Sequence, residues 1–171
     1  MHEVDMRTDD RAVDTIQKSP KKPSKVLLVE DNAGDALLVG QALADSPTPV
    51  HLHVARDGEQ ALQMLGEPDY HPDVIILDLN IPKISGHAVL ARYPRKKTPV
   101  VIFSASESEV DLNRAFSHGA NEFIHKPLDL DDYKGAVTGI VRKWAAPRST
   151  RNSRNGSSLA IRQKLDKAHS R

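Results

Sequence analysis

The chain has 171 residues, 39% hydrophobic and 4% aromatic, enough for one domain with an aliphatic core plus flanking segments. It has no cysteine, which excludes disulfides, thiol catalysis and thiolate metal sites; with no membrane-length apolar run and no signal-peptide core, a cytoplasmic location is expected. The net charge of +1 divides into +1 over residues 1–25, −6 over 26–146 and +6 over 147–171, and an acidic domain argues against a nucleic-acid-binding core.

Residues 1–24 are polar and mixed in charge, ending in the linker-like Lys18–Pro23; disorder is expected there, with a transient helix around Arg11–Gln17. The expected domain runs from 25 to 146. Lys25–Val29 reads as a central strand followed by Glu30-Asp31-Asn32, where Asn32 or Asp31 can cap a helix starting near Ala33. That helix sets Ala36, Leu37, Val39, Gly40 and Leu43 at roughly helical spacing and stops at Ser46–Pro49. Val50–Val54 alternates, as a less buried strand does, and Asp57-Gly58-Glu59 turns into a helix over Gln60–Leu65.

The organising stretch is Asp73–Gly86. Its apolar, largely β-branched run Val74–Leu77 reads as a strand buried on both faces, ending on Asp78. A short helix from His87 to about Tyr93 follows, then a strand over Val100–Phe103 ending on Ser104. Glu107–His118 is a helix closed by Gly119, and Asn121–His125 is a short last strand that runs into Lys126-Pro127. Asp129 or Asp131 caps a final helix to about Trp144, and the basic tail 147–171 is expected to be disordered. Five strands alternating with five helices imply an α/β fold with a doubly wound parallel sheet.

In such a fold the C-terminal ends of the strands face one crevice. Glu30 and Asp31, Asp78, Ser104 and Lys126 would meet there: carboxylates, a hydroxyl and an ammonium. Clustered carboxylates suit a hard cation such as Mg²⁺, and the lysine and hydroxyl match phosphoryl oxygens. The chemistry suggested is phosphoryl transfer onto Asp78. Taken singly, Asp78 could simply start a turn, Ser104 could be satisfied by backbone, and Phe123 could be core. His51, His53 and His71 are scattered without transition-metal spacing, His125 is expected to face away from the pocket, and Arg95–Lys97 reads as a solvated run.

The motifs VLLVEDN (Val26–Asn32), VIILDLNIP (Val74–Pro82), the strand end Ser104-Ala105 and HKP (His125–Pro127) resemble the receiver domain of two-component response regulators. The ED-N-x-GDA and DLN-x-P patterns are most similar to stand-alone, flavodoxin-like receivers that serve bacteriophytochromes. The resemblance implies that Asp78 is the phosphoacceptor, that Asp31, Glu30, Asp78 and the Asn80 carbonyl hold Mg²⁺, and that Lys126 pairs with the phosphoryl group. It implies a switch made of Ser104 and Phe123, and a Lys126–Pro127 bond that is typically cis. It further implies a sensor histidine kinase as partner and a dimer through the fourth helix, fifth strand and fifth helix. Self-catalysed phosphorylation and dephosphorylation would make the chain a signalling phosphoacceptor rather than a metabolic enzyme. The segment Arg92–Thr98 is short for this subgroup, and the fourth strand ends in Ser104-Ala105-Ser106 where relatives often carry two threonines. The rivals are a scaffold that takes no phosphate, an aspartyl-nucleophile phosphatase and a DNA-binding regulator acting through the tail. The phosphatase would need an acid where Asn80 stands; about 25 tail residues are too few for a helix-turn-helix.

Overall fold

A computed structural model of the chain describes residues 22–93 and 98–145. The expectations for residues 1–21, for Arg95–Lys97 and for the basic tail fall outside these. In chain order the elements are β1 (Ser24–Val29), α1 (Ala33–Ala44), β2 (Val50–Ala55), α2 (Gly58–Gly66), β3 (Val74–Leu77), α3 (Gly86–Arg92), β4 (Val100–Ser104), α4 (Glu109–Ser117), β5 (Glu122–His125) and α5 (Leu130–Trp144). All strand pairs are parallel and the sheet order is β2-β1-β3-β4-β5.

The three central strands are buried, save Lys25 at the start of β1, because their residues face helices on both sides. Val26, Leu28, Val74, Ile76, Val101 and Phe103 pack towards α1 and α5. The alternate residues Leu27, Val29, Ile75, Leu77, Val100 and Ile102 pack towards α2, α3 and α4. Short polar side chains set where the helices begin. Asn32 Oδ1 accepts from the N–H groups of Gly34 and Asp35 at 2.8 and 3.1 Å, and Asp129 Oδ1 from those of Asp131 and Asp132 at 2.9 and 3.0 Å. Asp57 caps α2, which therefore starts at Gly58 rather than Gln60, and Ser108 caps α4, which starts at Glu109 rather than Glu107. In α1, Ala36, Val39 and Leu43 are buried, but Leu37 is 61% exposed because its position turns it off the apolar stripe.

The strand order changes direction between β1 and β3, which opens the crevice at their C-terminal ends. Val29 lies level with Leu77, and Leu77 with Ile102, so the residues just past these positions emerge side by side. The β3–α3 loop closes tightly over this end of the sheet. The Gly86 N–H donates to the Leu79 carbonyl at 3.0 Å, and a Cβ at Gly86 would lie 2.2 Å from the carbonyl oxygen of Asp78. Only glycine allows that approach.

Candidate functional site

Lys126, directly after β5, carries the centre of the site. Its Nζ donates to Glu30 Oε2 at 2.6 Å, to Asp35 Oδ2 at 2.7 Å and to Asp78 Oδ2 at 2.7 Å. An ammonium has three donors, and all three are used here. The other Asp78 oxygen, Oδ1, accepts from the Ser104 hydroxyl at 2.8 Å and from the Asn80 N–H at 3.1 Å. Glu30 Oε1 accepts from the Asn32 N–H at 2.9 Å. Glu30, Asp78 and Ser104 are buried, at 2%, 7% and 0% exposure, so the two carboxylates depend on Lys126 and their hydrogen bonds rather than on water.

Burial pushes the Glu30 carboxyl above its ordinary value, even though Lys126 and the Asn32 N–H pull the other way. Burial alone would lower the Lys126 ammonium, but its bonds to Asp35, Asp78 and Glu30 more than offset this and hold it above the ordinary lysine value. Lys126 therefore stays charged throughout the physiological range, as a fixed cation beside the Asp78 carboxylate.

Residues 26–138 match the family described as response regulator receiver domain. The chain belongs to that family. Among its relatives, the probable methanogenesis regulatory protein FilR2 of Methanothrix harundinacea is 36% identical over 130 residues, covering 71% of this chain and 84% of that protein. Response regulator Rcp1 of Synechocystis is 36% identical over 131 residues, covering 71% and 89%. The crystal structure of the phosphorylated cyanobacterial phytochrome response regulator RcpA superposes with a TM-score of 0.68 at 36% identity, covering 73% of this chain and 96% of that one. The five-stranded sheet is thus the flavodoxin-like receiver fold, as expected.

In this receiver, Asp78, Lys126, Ser104 and Glu30 are brought together as the sequence predicts. Asp31 and Asn80 are exposed, and Phe123 is half-buried on the α2–α4 side of the sheet, its ring 5.2 Å from that of His125. His51, His71 and His125 are exposed, whereas His53 is half-buried and stacks on Tyr70 at 5.1 Å. The Lys126–Pro127 bond is trans, as are all peptide bonds among the described residues, where the resemblance implies cis. Lys126 reaches its carboxylates all the same. Receivers bind a divalent metal, and the donor chemistry here suits one: Glu30 and Asp78 offer hard oxygens a few ångströms apart, with Asp31 next along the chain. Among the described residues no group of three or more His, Asp or Glu side chains is arranged around an ion's position, and the Lys126 ammonium lies between Glu30 and Asp78.

Asp35 is the site residue that the sequence reading missed. It sits in the first turn of α1, where an acidic residue is already explained by the helix dipole, so nothing local marks it as a partner for Lys126, 91 residues away.

Proposed function

We propose that this chain is a stand-alone response regulator, with its receiver over residues 25–146, that takes a phosphoryl group from the phosphohistidine of a sensor histidine kinase. The observation that carries this reading is the Asp78 carboxylate at the end of β3, held between the Lys126 ammonium and the Ser104 hydroxyl. A carboxylate oxygen of Asp78 attacks phosphorus in line, the P–N bond breaks, and the imidazole leaves with its electron pair. Lys126 exchanges Asp78 for the phosphoryl oxygens and neutralises their charge. Glu30, Asp31, Asp78 and the Asn80 carbonyl would hold Mg²⁺, which when bound adds further neutralisation of the phosphoryl oxygens. Ser104 then follows the acylphosphate, Phe123 rearranges with it, and the face formed by α4, β5 and α5 changes its preference for partners, a second copy included. Water later cleaves the acylphosphate, so the chain acts as a timed switch in the cytoplasm.

The likeness to the cyanobacterial phytochrome response regulator RcpA supports a phytochrome-type kinase as the donor. The test is incubation with acetyl phosphate and Mg²⁺, read by intact mass. One phosphoryl adduct that needs Mg²⁺ and disappears in Asp78→Asn is the expected result. No adduct on the wild type would instead favour a scaffold that never takes phosphate.

A further inference from the structure

A second polar cluster lies beyond Ser104, between α3 and α4. The Ser106 hydroxyl donates to Asp111 Oδ2 at 2.6 Å, and His87 Nε2 lies 3.0 Å from Asp111 Oδ1. Carboxylate oxygens only accept, so the Nε2 proton of His87 points at Asp111. His87 is 7% exposed, and among the described residues its buried Nδ1 has no hydrogen-bond partner, nor has Nδ1 of His118, whose ring meets His87 edge-on at 6.3 Å. A buried imidazole with one nitrogen unsatisfied is costly, and an aliphatic side chain would fill this core position more cheaply. What His87 contributes in return is its bond to Asp111.

This cluster is joined to the phosphoacceptor. The Ser106 N–H donates to Ser104 Oγ at 3.4 Å, at the long end for such a bond, and this leaves the single Ser104 proton to point at Asp78. Asp78, Ser104, Ser106, Asp111 and His87 thus form one continuous line of hydrogen bonds from β3 to α3. The element it crosses is weakly held by apolar packing. Ala115 is the one buried residue of α4, while Val110 and Phe116 are 73% and 45% exposed. With so little core beneath it, α4 takes much of its placement from Ser106, Asp111 and His87.

We propose that Ser106, Asp111 and His87 are positioning residues that couple the Ser104 hydroxyl, and through it the state of Asp78, to the seating of α4 against α3. The coupling to phosphorylation rests on the function proposed above; the coupling to Ser104 does not. When Ser104 follows a phosphoryl group, the Ser106 N–H loses its acceptor, the β4–α4 loop shifts, and Asp111 is drawn off His87.

The test follows the imidazole ¹⁵N resonances of His87 in the full chain. Ser104→Ala, without any phosphodonor, is expected to move the His87 signal. Acetyl phosphate with Mg²⁺ is expected to move it in wild type and leave it in place in Asp78→Asn. In Ser106→Ala the adduct should still form by intact mass while the His87 signal stays put. Asp111→Ala should slow adduct formation by about fivefold, the worth of one ordinary hydrogen bond, with Asp111→Asn restoring most of the rate because it keeps an acceptor oxygen. An adduct that forms on wild type with His87 unmoved overturns the coupling. No adduct at all overturns the proposed function and leaves Ser104→Ala to decide: a His87 signal unmoved there overturns the coupling as well.

Discussion

Lys126 shows how one side chain can decide both stability and chemistry. Replacing it with methionine keeps most of the volume but leaves Glu30 and Asp78 buried without their cation. Breaking a buried ion pair in this way is expected to cost about 3 kcal/mol in urea unfolding. Mg²⁺ should recover more stability in Lys126→Met than in wild type, since the ion can supply the charge that the ammonium supplied. The pH dependence follows from the direction of each shift. Lys126 is held above its unfolded value, so its contribution is complete below about pH 10 and is lost as pH rises through the folded value. Glu30 is raised, so its ionised form opposes folding, and that penalty is relieved as pH falls towards and below its folded value. Glu30→Gln keeps one acceptor oxygen for Lys126 but turns its NH2 towards the Asn32 N–H, so it should lose only about 1 kcal/mol, the worth of one hydrogen bond, at pH 7. It should also lose this acid-side gain. A neutral-pH loss of several kcal/mol would show that the charge of Glu30 is net stabilising.

At the scale of elements, the β3–α3 loop is where the fold holds the Asp78 carboxylate in place. Gly86→Ala would put a methyl group 2.2 Å from the Asp78 carbonyl oxygen, so the loop or the end of β3 must shift. A loss of about 2–3 kcal/mol in thermal or urea unfolding is expected, together with a weaker yield of phosphoryl adduct. The same end of the sheet shows what sequence reveals and what it does not. The buried strands were legible because runs such as Val74–Leu77 are apolar at every position, and their ends on Glu30, Asp78 and Ser104 mark one crevice. The caps were legible only in part, since Asp57 and Ser108 compete with neighbouring polar residues for the same role. Asp35 and the line from Ser106 to His87 were not legible. Each is an ordinary polar residue in its own helix or loop, and its meaning lies in a partner brought near by packing: Lys126 for Asp35, and Asp111, 24 residues away, for His87.

Across the whole molecule, the start of β1 and the end of α5 are tied together. The Ser24 hydroxyl donates to the Ala145 carbonyl at 2.8 Å in a buried bond. At the edge of the sheet, Glu122 of β5 accepts from Trp144 Nε1 at 2.5 Å and from Lys143 Nζ at 2.7 Å. The helix that covers one face of the sheet is thus anchored to both a central and an edge strand, and its inner residues Tyr133, Val137, Ile140 and Val141 share a core with β1, β3 and β4. Such a layout should unfold as one unit. Trp144 is the single tryptophan, so its fluorescence reports on the end of α5 while far-UV circular dichroism reports on the whole fold. The two urea transitions are expected to coincide. Glu122→Ala should move both midpoints together to lower urea, with a loss of about 1.5–3 kcal/mol, the worth of a hydrogen bond to a charged group. If the fluorescence changed at lower urea than the dichroism, α5 would be leaving the sheet on its own, and its anchoring through Glu122 and Ser24 would be too weak to make the two faces cooperative.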